Sequence, residues 1–193
     1  MTFDVRALVD RLSAIESIAL LPRTSSTNTI ARRVVAECLE NEIPLPSAII
    51  VAREQIAGRG REGRSWVSPA GGGIYASLLH TRATSALALL PLEAAAVVAT
   101  YLRDVWNVDA RIKWPNDIVV NGRKIAGILI EARSRDDEAF VILGVGINVR
   151  PVGDPSVPNA TSIVEATSRE SVDLDDATIA FIEYLDENIA VPL

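Results

Sequence analysis

The sequence Ile118-Val-Val-Asn-Gly-Arg-Lys-Ile-Ala-Gly-Ile-Leu-Ile-Glu131 has an apolar run on each side of Asn121-Gly122. Asn-Gly is a preferred pair for a two-residue β-turn, because both central positions of that turn have a positive φ. The stretch therefore predicts an antiparallel hairpin. A charged turn at residues 133–138 and a strand over residues 139–149 follow it, so the hairpin predicts a sheet built largely from antiparallel neighbours.

Apolar patterns on both sides of this hairpin predict the remaining elements. Strands are predicted at residues 18–21, 48–52, 74–79 and 110–114, and helices at 5–15, 29–39, 87–106 and 175–189. The third helix is expected to start near Pro91, and its buried side to carry Leu90, Ala94, Val98, Leu102 and Val105. We predict an α/β or α+β fold, a mixed, mostly antiparallel sheet with helices packed on it, forming one domain over residues 1–193.

Composition excludes several classes of protein. The chain has 193 residues, of which 49% are hydrophobic, and a net charge of −6. An acidic protein is a poor general binder of nucleic acid or of an anionic membrane, so neither is expected as a partner. Cys38 and His80 are the single cysteine and the single histidine, which argues against an internal disulfide, a histidine-rich metal site and a Ser-His-Asp triad. We therefore predict no protein-bound metal and a cytoplasmic location.

The stretch Gly58-Arg-Gly-Arg-Glu-Gly-Arg-Ser-Trp66 alternates glycine with arginine. Glycine lets the backbone turn sharply, and arginine supplies a planar fork of donors for phosphate or carboxylate. This arginine loop (residues 58–66) is predicted to be an anion clamp that is mobile without ligand. Its glycine spacing also matches a dinucleotide fingerprint, but no helix follows it and the next acidic residue beyond the loop is Glu93. An RNA-binding arginine–glycine segment would be longer and repeated.

Polar residues elsewhere allow two interpretations each. Ser26, Thr27 and Asn28 precede a predicted helix, so they either cap it or line a pocket with neutral polar groups. Asp117 either caps the turn after Trp114-Pro115 or takes part in chemistry. Lys124, taken alone, is a solvated lysine of the hairpin.

Five motifs occur in order: Ser26-Thr-Asn28, Gln55-Ile-Ala-Gly-Arg-Gly-Arg-Glu-Gly-Arg-Ser-Trp66, Lys113-Trp-Pro-Asn-Asp117, Lys124-Ile-Ala-Gly-Ile-Leu-Ile-Glu131 and Gly144-Val-Gly-Ile-Asn148. Together they resemble the catalytic domain of biotin–protein ligases, with its class II synthetase-like biotin/lipoate ligase fold. The resemblance covers residues from about 20 to 165. Family members often carry an N-terminal helix-turn-helix and a small C-terminal β-barrel, and neither is expected in this sequence.

The resemblance implies a two-step reaction. ATP first activates biotin to biotinyl-5′-AMP, and biotin then passes to a lysine of a biotin carboxyl carrier protein. The implied substrates are ATP and biotin, with Mg²⁺ accompanying ATP. A monomer or weak homodimer is expected.

The motifs also imply site residues. The catalytic residues would be Lys124, Arg61 and Asp117. Biotin would contact Ser26, Thr27, Asn28, Gln55, Arg59, Gly60, Tyr75, Gly127, Gly144 and Gly146. ATP and the adenylate would contact Arg59, Arg61, Arg64, Trp66, Lys113, Asn116, Lys124 and Asn148. Trp66 and Tyr75 are interpreted either as walls of the pocket or as core residues.

Two other functions stay open at this level. A relative that handles lipoate or octanoate would share the domain, although the arginine loop and the motif at residues 113–117 favour biotin. The other alternative is a biotin- or adenylate-binding module without turnover.

Overall fold

The structure is a computed structural model that describes residues 3–189. Its seven-stranded sheet has the order β1-β2-β3-β7-β6-β5-β4, and only the β1–β2 pair is parallel. The strands are β1 (Ser17–Leu21), β2 (Ala48–Ala52), β3 (Gly73–Ala83), β4 (Arg111–Lys113), β5 (Asp117–Val120), β6 (Arg123–Arg135) and β7 (Glu138–Asn148). The predicted mixed, mostly antiparallel sheet is confirmed, and so is the hairpin at Asn121-Gly122, where both residues have a positive φ.

Helices cover both faces of the sheet. They are α1 (Val5–Val9), α2 (Thr27–Glu40), α3 (Leu90–Trp106), α4 (Ile163–Thr167) and α5 (Leu174–Asn188). Helices α3 and α5 pack on one face over the main hydrophobic core, while α2 packs on the other face against β2, β3 and β7. No helix within residues 3–189 is both long enough and apolar enough to cross a membrane.

The two faces of β7 differ in a way that creates a site. Leu143, Val145 and Ile147 point into the main core beneath α3 and α5. Successive strand residues alternate between faces, so Gly144 and Gly146 lie on the α2 side. Because these positions carry no side chains, they leave room for Asn28 of α2 and for Trp66 against the strand.

The first helix is shorter than predicted. Helix α1 ends at Val9, whereas the apolar spacing had predicted a helix as far as residue 15. The backbone N–H groups of Ser13, Ala14 and Ile15 instead donate to the Asp186 carboxylate at 2.7–2.9 Å. Burial acts to raise the pKa of Asp186, but these hydrogen bonds outweigh it and lower that pKa. A tertiary contact to α5 has therefore replaced helical hydrogen bonding in this segment.

Two further predictions were wrong in detail. Val105 is 40% exposed, because the buried stripe of α3 continues from Leu102 to Trp106. Residues 133–135 belong to β6, which pairs with β7 as far as Arg135 opposite Glu138. The charged turn is consequently confined to residues 136–137.

Candidate functional site

A cleft of about 330 Å³ opens on the α2 side of the sheet. Most of the residues of the five motifs line it. The lining residues are Ser26, Thr27, Asn28, Gln55, Arg59, Gly60, Arg61, Glu62, Arg64, Ser65, Trp66, Ala76, Lys113, Trp114, Pro115, Asn116, Asp117, Lys124, Gly127, Ile128, Leu129, Gly144, Val145 and Gly146. Segments that are far apart in sequence thus meet in one place.

The N-terminal end of α2 forms the polar end of the cleft. Ser26 is its N-cap residue, yet the Ser26 side chain makes no capping hydrogen bond. The Gln55 side-chain oxygen accepts from the Thr27 backbone N–H at 2.8 Å, and the Gln55 amide nitrogen donates to the Ser68 hydroxyl at 2.9 Å. Gln55 therefore satisfies a helix-end donor and is held in one orientation by Ser68.

Asn28 is held between the helix and the sheet. The Ser77 hydroxyl donates to its side-chain oxygen at 2.7 Å, and its amide nitrogen donates to Glu131 at 3.1 Å. A Cβ on Gly144 would come within 2.1 Å of the Asn28 oxygen. Glycine at position 144 is thus required for Asn28 to occupy this place.

Glu131 links this polar end to the arginine loop. Its carboxylate accepts hydrogen bonds from Arg32 and Asn28, and one of its oxygens lies 3.9 Å from Arg59 Nη2. Burial acts to raise the pKa of Glu131, but the hydrogen bonds from Arg32 and Asn28 and the charges of Arg32 and Arg59 outweigh it. The resulting pKa is lower than usual, so Glu131 is ionised at neutral pH.

The arginine loop folds as a small hairpin with a 3₁₀ turn at Arg61–Gly63. The Gly60 N–H donates to the Arg64 carbonyl at 2.8 Å, and the Trp66 N–H donates to the Gly58 carbonyl at 2.9 Å. The predicted mobility of the ligand-free loop stays a prediction.

The arginines of the loop project from this hairpin. The exposed Arg61 lies 3.5 Å from the Asn116 side-chain oxygen, and Arg64 pairs with Glu62 at 2.6 Å. The guanidinium groups of Arg61 and Arg64 are therefore near the surface, where they can reach an anion in the cleft.

Trp66 lies flat against the sheet. A Cβ on Gly127 would be 2.8 Å from its ring, and one on Gly146 would be 2.5 Å from it. Gly127 and Gly146 are paired on neighbouring strands, so together they form the bare surface that the indole covers. The buried indole N–H of Trp66 has no hydrogen-bond partner among the described residues.

Lys124 extends beside this indole. Its ammonium lies 5.1 Å from the Trp66 ring centroid and 2.6 Å from the Asp117 carboxylate. Asn116 is fixed to β6 by two hydrogen bonds to Ile128. Its side-chain amide donates to the Ile128 carbonyl at 3.0 Å, and its backbone carbonyl accepts from the Ile128 N–H. The exposed Lys113 completes this side of the cleft.

A second cavity of about 320 Å³ lies on the other side of Lys124 and Trp66. Its walls include Asn148 and residues 156–160, and it shares Arg64, Ser65, Trp66 and Lys124 with the first cleft. Asn148 is buried, and its amide donates to the Thr161 carbonyl at 2.9 Å. The two cavities therefore meet at Lys124.

Two predicted site residues do not line the first cleft. Asn148 borders the second cavity instead. Tyr75 lies on the same face of β3 as Ser77, but its hydroxyl donates to the Pro69 carbonyl and its ring lies under the turn at residues 69–73. Of the two interpretations of Tyr75, the structure supports a core residue, because Tyr75 is buried and does not line the cleft.

Sequence reasoning gave no role to several residues that organise the site. They are Arg32, Ser68, Ser77, Trp114 and Glu131. Glu131 ends the motif that begins at Lys124, so its position was a usable signal. Trp114, 71% exposed at the cleft, lies within the motif at residues 113–117. No group of three or more acidic, histidine or cysteine side chains within residues 3–189 is placed to hold a metal.

Comparison with known proteins identifies relatives of this arrangement. The model of the biotin/lipoate A/B protein ligase family matches residues 20–148. The bifunctional ligase/repressor BirA of Escherichia coli is 36% identical over 69% of this chain and 40% of its own length. The biotin–[acetyl-CoA-carboxylase] ligase of Paracoccus denitrificans is 42% identical over 74% of this chain and 59% of its own length. This chain thus spans about half the length of these curated relatives.

Solved structures resemble the fold as well. Biotin protein ligase of Leishmania major in complex with biotinyl-5-AMP matches with a TM-score of 0.72 and 28% identity, over 89% of this chain and 74% of that one. Biotin protein ligase of Aquifex aeolicus with biotin and ATP matches with a TM-score of 0.70 and 28% identity, over 90% and 70% of the two chains.

Proposed function

Because this chain belongs to the biotin/lipoate A/B protein ligase family, we propose that it activates biotin with ATP and transfers it to a protein. In the first step a biotin carboxylate oxygen bonds to the α-phosphorus of ATP while the bond to the β-phosphate bridging oxygen breaks, giving biotinyl-5′-AMP and pyrophosphate. In the second step a lysine amine of a biotin carboxyl carrier protein attacks the acyl carbon. AMP leaves, and the amine loses a proton.

The observation that carries this proposal is the position of Lys124 between two cavities. The first cleft would hold biotin and the second the nucleotide, so carboxylate and α-phosphate would meet at the Lys124 ammonium. Both reacting groups are anionic and repel each other. A fixed positive charge at their meeting point lowers the barrier by stabilising the negative charge that converges there.

The first cleft supplies the groups that biotin needs. The ureido ring of biotin has both donors and acceptors, which Ser26, Thr27 and Gln55 can match. The outer face of the Trp66 indole, which lies on Gly127 and Gly146, offers the ring system an apolar wall. Sites of this kind bind by apolar enclosure and orient the ligand with a few polar groups.

The arginine loop would bind the phosphates. Arg64 borders both cavities, while Arg59 and Arg61 line the first cleft, into which the α-phosphate would reach to meet the biotin carboxylate. Mg²⁺ would enter with ATP as part of the substrate. Asp117 would hold Lys124 in place during the first step and take up the proton of the acceptor amine in the second. The reaction would take place in the cytoplasm.

Calorimetric titration with biotin, then ATP, then lipoate tests this proposal, together with measurement of pyrophosphate release. We expect biotin to bind and pyrophosphate to appear only when biotin and ATP are both present. Arg111→Met is the matched control, because Arg111 is exposed and pairs with Asp109 outside both cavities. Tighter binding of lipoate than of biotin would indicate the lipoate-handling alternative, and biotin binding without pyrophosphate release a module without turnover.

A further inference from the structure

We propose that Glu131 is a positioning residue for the arginine loop. Its carboxylate holds the Arg59 side chain beside the cleft in the ligand-free protein and releases Arg59 to an anionic ligand. This contact would limit, without abolishing, the mobility that is predicted for loop residues 58–66 in the absence of ligand.

The first support is the way in which Glu131 joins three separate parts of the molecule. One carboxylate oxygen accepts from Asn28 and from Arg32 Nε, each at 3.1 Å. The other oxygen is shared between two arginines, Arg32 of helix α2 and Arg59 of the arginine loop. Glu131 itself is not among the residues that line the cleft, so it acts through the residues that it contacts.

The second support is the inequality of the two arginine contacts. Arg32 binds the carboxylate with two nitrogens of its guanidinium fork, whereas the nearest Arg59 nitrogen is 3.9 Å away. A separation of 3.9 Å is too long for a hydrogen bond, so the attraction of Arg59 to Glu131 is purely electrostatic. Arg59 is thus the weakly held member of the cluster.

The third support is exposure. The Arg59 side chain is 36% exposed and the Glu131 side chain 20% exposed, and ion pairs that solvent reaches contribute little free energy. A phosphate or carboxylate of a ligand can form shorter, charge-assisted hydrogen bonds with Arg59, which are stronger than the contact to Glu131. The exchange of partners therefore favours the ligand.

The identity of that anion rests on the proposed function, in which it is the adenylate or the triphosphate. The holding of Arg59 by Glu131 does not rest on it, because Asn28, Arg32, Arg59 and Glu131 form these contacts among themselves. The two parts of the proposal can accordingly be tested separately.

Hydrogen exchange of the protein without ligand tests whether Glu131 holds Arg59. The exchange rates are measured at the Gly60 and Trp66 amides, whose hydrogen bonds close the loop hairpin. We expect Glu131→Gln to accelerate their exchange about three- to fivefold, in proportion to the weak ion pair that it removes. Arg59→Met should accelerate it equally, and the double variant should be no faster than either single one. Additive effects in the double variant would overturn the pairing.

Arg32→Met is the decisive comparison, because the proposal predicts that it changes the rate of loop amide exchange in the opposite direction. Removal of Arg32 leaves the shared oxygen of Glu131 to Arg59 alone, so exchange at the loop amides should slow. A purely structural role for Glu131 would make both Arg32→Met and Glu131→Gln loosen the site and accelerate exchange. If Glu131→Gln does not fold, Arg32→Met decides alone: slower exchange supports the holding role, and equal or faster exchange overturns it. Arg111→Met should leave the loop amides unchanged.

Saturating biotin and ATP test the release part. The difference between the parent protein and Glu131→Gln should disappear, because the ligand then holds Arg59 in both proteins. A difference that persists in the presence of bound ligand would show that Glu131 does not release Arg59. If the parent binds neither biotin nor ATP, the proposed function and the release part fail together, while the ligand-free comparison still decides whether Glu131 holds the loop.

Discussion

The two faces of strand β7 show how one sheet serves two purposes. On the face under α3 and α5, Leu143, Val145 and Ile147 are almost completely buried among other apolar side chains. On the other face, Gly144 and Gly146 carry no side chains, and Asn28 and Trp66 occupy the space instead. The first face stabilises the fold, and the second admits polar and aromatic groups to the backbone for recognition.

The faces also treat polar groups differently. On the cleft face, Asn28, Gln55, Glu131 and Lys124 each have hydrogen-bonded or charged partners within the site. On the core face, His80 is buried and its Nε2 has no hydrogen-bond partner among the described residues. Burial, with a smaller contribution from the charge of Arg82, lowers the pKa of His80 to about 4. The core face thus keeps His80 neutral at neutral pH, whereas the cleft face holds the ion pair of Lys124 with Asp117.

The strongest test of this division removes a core side chain. Phe181 of α5 is fully buried and packs edge-on against Tyr101 at a ring-centroid distance of 5.0 Å. Phe181→Ala should lower the free energy of unfolding by about 3–5 kcal/mol, because it leaves a cavity in the main core. Denaturant unfolding measures that loss, and calorimetry at low temperature should show unchanged biotin affinity for the folded fraction. Weakened affinity would mean that the two faces are coupled.

The converse test removes a charge from the cleft. Lys124→Met keeps the apolar stem but loses the ammonium, so pyrophosphate release should fall by about 10²–10³, or roughly 3–4 kcal/mol of transition-state stabilisation. The unfolding midpoint should hardly change, because the Lys124–Asp117 pair is partly exposed. A normal rate of pyrophosphate release in this variant would remove Lys124 from the reaction.

The pH dependence of stability tests the buried histidine. The pKa of His80 is lower in the folded protein than the ordinary 6.5, so the unfolded chain binds the proton more readily. Its stabilising contribution is complete above pH 6.5 and is lost as the pH falls towards 4. Between pH 7 and pH 4.5 this difference amounts to about 2–3 kcal/mol.

His80→Gln provides the control, because protonation of buried carboxylates such as Asp186 also lowers the stability of the protein in acid. Denaturant unfolding of both proteins at both pH values isolates the histidine contribution as the difference between them. An identical loss of stability in the two proteins would show that His80 titrates normally.

The smallest effect is expected where a methyl group is added to the cleft face of β7. In Gly146→Ala the new Cβ would meet the Trp66 ring at 2.5 Å, so the indole must move. We expect the free energy of unfolding, measured in denaturant, to fall by about 1–3 kcal/mol, the usual cost of overpacking. In a Trp66→Leu background the same substitution should cost less. Equal costs in the two backgrounds would show that Trp66 does not cover Gly146.

Local sequence was sufficient for much of this protein. The Asn121-Gly122 turn determined one hairpin, because that pair adopts positive φ angles easily. The five motifs identified most of the cleft residues, because as an ordered set they resemble the catalytic domain of biotin–protein ligases.

Only the tertiary structure decided which distant groups meet. Arg32 and Glu131 are 99 positions apart, and their contact depends on how α2 packs over the register of β6 and β7. The contact of the Tyr75 hydroxyl with the Pro69 carbonyl depends likewise on the turn at residues 69–73, and the end of α1 depends on the Asp186 carboxylate. Periodicity specifies which side of an element a residue occupies, but its contacts are set by the element that packs against that side.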